Sequence, residues 1–172
     1  MMTGHRHRVV VTGTGALTDI GNSAASLWDG LINGRSGVGP VTAFEQDDQW
    51  DARIAGELKD WNPKDHLTVS ECKRMDRVSQ ICMGAAIEAT EDCGIDFDSG
   101  DPTRRGVVIG TGIGGIITIE EDHKKLMAKG PRRISPFCVP KLMANAPAGN
   151  VSIRYNLKGI NVVTATACAS GA

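Results

Sequence analysis

The 172-residue chain predicts a layered α/β fold built on a helix-flanked, partly parallel sheet. Three β-branched apolar runs, Val9–Thr12, Arg105–Ile109 and Ile160–Thr166, alternate with segments of helical apolar rhythm. The first two runs lead into glycine-rich turns and the third into Ala167-Cys168-Ala169-Ser170-Gly171. Strands followed by turns and helices at this spacing favour crossover connections, and these make neighbouring strands parallel.

Taken in order, Val9 to Thr12 reads as a first strand ending in Gly13-Thr14-Gly15, and Asn22 or Ser23 can cap a helix running to about Asn33-Gly34. Thr42 to Trp61 is polar and irregular, with one short alternating strand, Arg53 to Leu58, and reads as an excursion from the core. Ser70 is expected to cap a long helix in which Val78, Ile81, Cys82, Ala85, Ala86 and Ala89 form the buried stripe and Gly94 the left-handed stop. Arg105 to Ile109 follows as a second core strand and Ile116 to Ala128 as an amphipathic helix. Lys141 to Tyr155 is helical with an interruption at Pro147, and the final strand runs into Cys168.

Composition excludes several classes of function. Hydrophobic residues make up 41%, charged residues 23%, and the net charge is -1, as in an ordinary globular chain. Such a balance gives no general attraction to nucleic acid or membrane, so an electrostatic partner must be met by a local patch. The basic start leads into an apolar run too short for a signal peptide or a span, and the chain is expected to be cytoplasmic. The five cysteines are widely and irregularly spaced, without a Cys-x-x-Cys pair, which argues against both a disulfide framework and a metal site. Cys82 and Cys93 fit a helix stripe and its boundary, which leaves Cys168 as the candidate nucleophile.

The local pattern around Cys168 supports a strand-to-turn nucleophile elbow. A helix starting there would present unpaired N–H groups to a thiolate and to a developing oxyanion. A small buried hydrophobe fits the same residues, so the pattern alone leaves both readings open. Gly110-Thr111-Gly112-Ile113-Gly114-Gly115 matches G-x-G-x-x-G between a strand and a helix, as a dinucleotide-binding turn would. About twenty residues on, however, a loop (Pro131 to Pro136) stands where that motif requires a strand with an acidic end. The glycines are instead expected to let the backbone pass close to another element.

Thr166-Ala167-Cys168-Ala169-Ser170-Gly171 resembles the nucleophile motif of the elongating β-ketoacyl-acyl carrier protein synthases of type II fatty acid synthesis, in the thiolase superfamily. The opening Arg8 to Gly15, Lys73-Arg74-Met75-Asp76, Ile109 to Gly115 and Gly130 to Phe137 resemble that family in the same order. The resemblance implies a thiolase-like layered fold, with residues 1–172 forming its N-terminal half and the C-terminal half expected to be absent. It also implies decarboxylative condensation of malonyl-acyl carrier protein with an acyl chain held on Cys168. Two histidines from the family's second half would assist, so these 172 residues alone are expected to be inactive in condensation. His5, His7, His66 and His123 all read as surface residues.

The resemblance further implies that Ile113, Cys138 and Val139 line the acyl pocket, with Phe137-Cys138-Val139 reaching across a homodimer. Cys138 stands where a second phenylalanine is common, which removes bulk. Without the resemblance, these residues would read as ordinary core. Lys73-Arg74, read as lying at a helix N-terminus where the dipole disfavours cations, and Arg132-Arg133 would dock the acidic acyl carrier protein. Ser70 replaces a lysine often found there, and a solvated surface is the alternative for both pairs. No cofactor is implied, because the substrates travel on the carrier's phosphopantetheine arm. A non-catalytic interaction domain, a thiolase and a polyketide condensing enzyme are the alternatives, and the basic pairs with Ala169-Ser170 favour fatty acid elongation.

Overall fold

A computed structural model describes residues 8–171. The chain forms α1 (Ala24–Ile32), β1 (Val38–Pro40), β2 (Ile54–Gly56), α2 (Val69–Arg74) and α3 (Arg77–Cys93), followed by β3 (Val107–Gly110), α4 (Ile116–Lys129), α5 (Cys138–Leu142), α6 (Ala146–Arg154) and β4 (Asn161–Thr164). Short 3-10 turns occupy Pro63–Asp65, Pro102–Arg104, Pro131–Arg133 and Ala167–Gly171.

The core lies where α3 and α6 pack on the β3–β4 pair. Met83 and Ile87 of α3 meet Ala148 and Val151 of α6 and Val107 of β3, with Leu67 and Met75 closing one end. Fully burying each of the larger side chains contributes about 1.5–3 kcal/mol. Thr90 donates to the Tyr155 hydroxyl at 2.8 Å, so the far end of this interface pairs its polar groups. Strands β3 and β4 are parallel in the register Val107 with Asn161 through Gly110 with Thr164. A parallel pair needs a long crossover, and α4 to α6 supply it. Opposite faces of these strands alternate in environment: Val107 is buried, whereas Val108 is 70% exposed.

Several sequence expectations hold locally. Ser23 caps α1 and exchanges hydrogen bonds with Ser26, and Gly94 ends α3 with a left-handed φ of 62°. Others are overturned. Val9 to Thr12 forms no strand: Val9 is 92% exposed, and no other strand among the described residues pairs with this segment. A β-branched run has only a propensity until a neighbour accepts its ladder bonds. What anchors the opening is α3, with Thr14 N–H donating to Asp92 Oδ2 at 2.9 Å and Ala16 N–H to Glu88 Oε2 at 2.8 Å. Strand β1, unanticipated because a Val-Gly-Pro triplet has little strand propensity, pairs antiparallel with β2.

The helix expected to start at Ser70 is two helices. Thr68 caps the first through a capping box with Glu71, and Met75 leaves the helix with ψ 139°. Asp76 then starts α3, its Oδ1 accepting from Val78 N–H at 3.1 Å. Its Oδ2 accepts from Thr118 N–H at 2.8 Å and Thr118 Oγ1 at 2.6 Å. One buried carboxylate therefore caps α3 and ties it to the first turn of α4, and that cross-chain demand is what breaks the helix. Lys73 and Arg74 consequently occupy the last turn of α2, where the dipole favours cations. Pro147 likewise opens α6 rather than interrupting a helix, because proline is tolerated at the first helical positions.

Candidate active site

The parallel register brings Gly110 beside Thr164, so both strands deliver their C-terminal ends to one edge, where sheets of this type present ligand-binding loops. Thr111 N–H donates to Thr164 O at 3.0 Å and extends the ladder by one bond. Beyond it the chain turns through Ala167–Gly171 as a five-residue 3-10 turn, the strand-to-turn elbow that the sequence predicts.

This turn is tied down by side chains. Thr166 N–H donates to Ser170 Oγ at 2.7 Å, Ser170 Oγ donates to Thr111 O at 3.0 Å, and Thr164 Oγ1 donates to Ser170 O at 3.1 Å. Ala167, next to Cys168, has φ 52° without being glycine, a conformation costing about 1–3 kcal/mol unless its surroundings impose it. Cys168 itself is exposed, whereas the other four cysteines are half-buried. Burial pushes the Cys82 and Cys138 thiols above their ordinary range, and Cys93 Sγ donates to Thr90 O at 3.2 Å. Among the described residues Cys168 is therefore the cysteine most open to solvent.

The glycine-rich loop serves close backbone approach, as the sequence suggested. A Cβ at Gly110 would sit 1.8 Å from Ser170 O, so only glycine lets the cysteine turn lie on the end of β3. A Cβ at Gly115 would meet Lys141 O at 2.5 Å, and Gly115 N–H donates to Leu142 O at 3.1 Å. The space a pyrophosphate would need beside these glycines is filled by the chain's own backbone.

Ile113 rides on this loop, 65% exposed, between the cysteine turn and the end of α5. Cys138 opens α5 half-buried beside Asp122 of α4, and Val139 is 61% exposed. Asp122 is buried, with Oδ1 on Lys125 Nζ at 2.8 Å, and that hydrogen bond holds its carboxyl below the usual range. The Arg74 guanidinium lies 5.5 Å above the Phe137 ring, and Arg132 and Arg133 sit five and four residues before that ring along the chain. Lys125, Lys129 and Arg133 line a cleft of about 350 Å³. Lys125 escaped the sequence reading, although its spacing of four from Lys129 on a helix signals a shared face. Ser170 was read only as part of a motif; its spacing of four from Thr166 across a glycine-ended turn was the available signal. His66 stacks on Trp61 at 6.2 Å, His123 is exposed on α4, and neither bonds to the cysteine turn. His5 and His7 lie outside the described residues.

Comparison with known proteins agrees with this arrangement. The family model described as the N-terminal domain of beta-ketoacyl synthase matches residues 6–172. The 3-oxoacyl-[acyl-carrier-protein] synthase 2 of Staphylococcus aureus (strain COL) is 45% identical over 164 residues, covering 95% of this chain and 39% of its own length. A protein of the same name from Synechocystis sp. (strain ATCC 27184 / PCC 6803 / Kazusa) is 43% identical over 166 residues, covering 96% of this chain and 40% of its own length. Among solved structures, the ishigamide ketosynthase/chain length factor superposes with a TM-score of 0.78 at 27% identity, over 94% of this chain and 40% of that one. The chain thus spans about two-fifths of the length of these relatives. With a thiolase-like half-fold presenting a cysteine turn at the end of a parallel strand pair, the chain belongs to the beta-ketoacyl synthase family and corresponds to its N-terminal domain.

Proposed function

We propose that this protein serves the decarboxylative condensation of type II fatty acid synthesis, with Cys168 as the acyl acceptor. The carrying observation is an exposed cysteine on a strained turn, clamped to the ends of two parallel strands. The Cys168 thiolate attacks the thioester carbonyl of an acyl chain on acyl carrier protein, forming acyl-Cys168 and releasing the carrier thiol. Malonyl-carrier then loses carbon dioxide, and its α-carbon attacks the Cys168 thioester. The products are a 3-oxoacyl chain two carbons longer and the free Cys168 thiolate.

Each oxyanion on this path needs donors, and the Cys168 backbone N–H, at the opening of the 3-10 turn, is one candidate. By family resemblance the remaining donors are two histidines of the fold's second half. Ile113, Cys138 and Val139 are assigned to the acyl pocket, with Cys138 and Val139 at a homodimer contact. Lys73, Arg74, Arg132 and Arg133 are assigned to carrier docking. Charge supports this assignment: on a chain of net charge -1, Arg74 lies over the Phe137 ring, and Arg132 and Arg133 form the 3-10 turn just before that residue.

Site-resolved mass spectrometry after exposure to acyl-carrier protein tests the reading. Cys168 is expected to acylate at least about tenfold faster than Cys72, and R132E/R133E to slow acylation from the carrier but not from a small thioester. Equal modification of Cys168 and Cys72 would overturn the assignment.

A further inference from the structure

The hydroxyl of Ser170 occupies an unusual place. It accepts from Thr166 N–H at 2.7 Å on one side of Cys168 and donates to Thr111 O at 3.0 Å on the neighbouring strand's loop. Ser170 is half-buried and Thr111 is buried, so water competes poorly for the second bond. Thr111 is itself fixed, its N–H on Thr164 O at 3.0 Å and its Oγ1 accepting from Gly114 N–H at 3.1 Å. The bridge therefore joins the two ends of the cysteine turn to each other and to a residue held at the end of β3.

We propose that Ser170 is a positioning residue for Cys168. Its bridge imposes the left-handed backbone of Ala167 and thereby fixes the direction in which the adjacent thiol projects. A non-glycine residue holds a positive φ only where its surroundings over-determine it. The contacts that do so here are the turn bond from Ala169 N–H to Thr166 O at 3.2 Å, the two bonds of the Ser170 hydroxyl and the bond from Thr164 Oγ1 to Ser170 O at 3.1 Å. Only the hydroxyl reaches across to β3's loop. Without it, Ala167 relaxes toward negative φ and Cys168 samples several orientations, so a thioester bound at the strand ends meets the thiol less often in line. The inference rests on the reading of Cys168 as nucleophile.

The test measures acylation of Cys168 by a small acyl thioester and alkylation by iodoacetamide, with Cys72 as internal reference, in the wild type, S170A and S170T. S170A is expected to acylate Cys168 about fivefold or more slowly. Its melting temperature and its Cys72 rate should stay near wild type. S170T, which keeps the hydroxyl, should recover most of the rate, a rescue that a purely structural role would not give. If wild-type Cys168 reacts no faster than Cys72, the nucleophile reading fails. If wild-type Cys168 is fast and S170A matches it, or S170T is as slow as S170A, the positioning role fails. Hydrogen exchange on the wild type provides a check independent of folding in the variants. The Thr166 amide should be protected at least about tenfold over an unstructured chain, and exchange at the unstructured rate would refute the bridge.

Discussion

Replacing Asp76 by alanine removes a side chain that ties the α2–α3 break to α4. The carboxylate caps α3 through Val78 N–H at 3.1 Å, and losing such a cap costs about 0.5–2 kcal/mol. It also accepts from Thr118 N–H at 2.8 Å and Oγ1 at 2.6 Å, with Asp76 only 3% and Thr118 only 3% exposed. Hydrogen bonds to a charged acceptor contribute about 1.5–3 kcal/mol, and the two Thr118 donors would be left buried and unpaired. These effects overlap, because one carboxylate makes all three bonds, so D76A is expected to cost about 3–5 kcal/mol. That is a large share of the roughly 5–15 kcal/mol stability of a typical domain. Urea unfolding followed by far-UV circular dichroism measures it, and D76N supplies an intermediate case because its amide oxygen still accepts one of the donors. T118V should recover part of the D76A loss in the double variant, since it removes the orphaned hydroxyl. A loss in D76A below about 0.5 kcal/mol, or full additivity of the two changes, would show that the bridge does not hold these helices together.

Two further outcomes follow from geometry and charge. In G110A the new methyl meets Ser170 O at 1.8 Å, so the cysteine turn must move; the rate of Cys168 alkylation should fall by about tenfold, with little change at Cys72. Glu71 is held below its ordinary value of 4.5 first by the Thr68 backbone N–H, with Thr68 Oγ1 and Arg154 adding to it. A carboxylate depressed on folding stabilises the protein above the unfolded value and loses that contribution as pH falls through the folded one. E71Q should therefore flatten the acid limb of a melting-temperature profile below about pH 4.5, while leaving its basic limb unchanged.

Features governed by neighbours in sequence were legible from sequence alone. The Gly94 stop of α3, the Ser23 cap of α1, the parallel strand leading to Cys168 and the close-approach role of the Gly110–Gly115 loop all follow from local spacing and backbone stereochemistry. The expected stripe of α3 is instead displaced: Ser79, Met83 and Ile87 take the buried face, and Val78, Ile81, Cys82, Ala85, Ala86 and Ala89 are half-buried beside it. The motifs that carry the family resemblance are likewise contiguous, which is why Cys168 stands out as the candidate nucleophile from sequence alone.

Contacts between distant residues were decided only in three dimensions. Met75 leaves the helix because Asp76 must also reach Thr118, 42 residues away, and this moves Lys73 and Arg74 from a helix start to a helix end. Val9 to Thr12 has the side chains of a strand but gains none of its energy without a paired neighbour. Ser170 gains a structural role only in three dimensions, where the backbone carbonyl of Thr111, 59 residues earlier, accepts a hydrogen bond from its hydroxyl. Local sequence thus determined the caps and stops of individual helices and the strand-to-turn elbow at Cys168, because caps, stops and turns act over a few residues. Tertiary structure determined which runs become strands, where helices break and what ties down the turn that carries the thiol, because those depend on hydrogen-bond partners that only folding brings within reach.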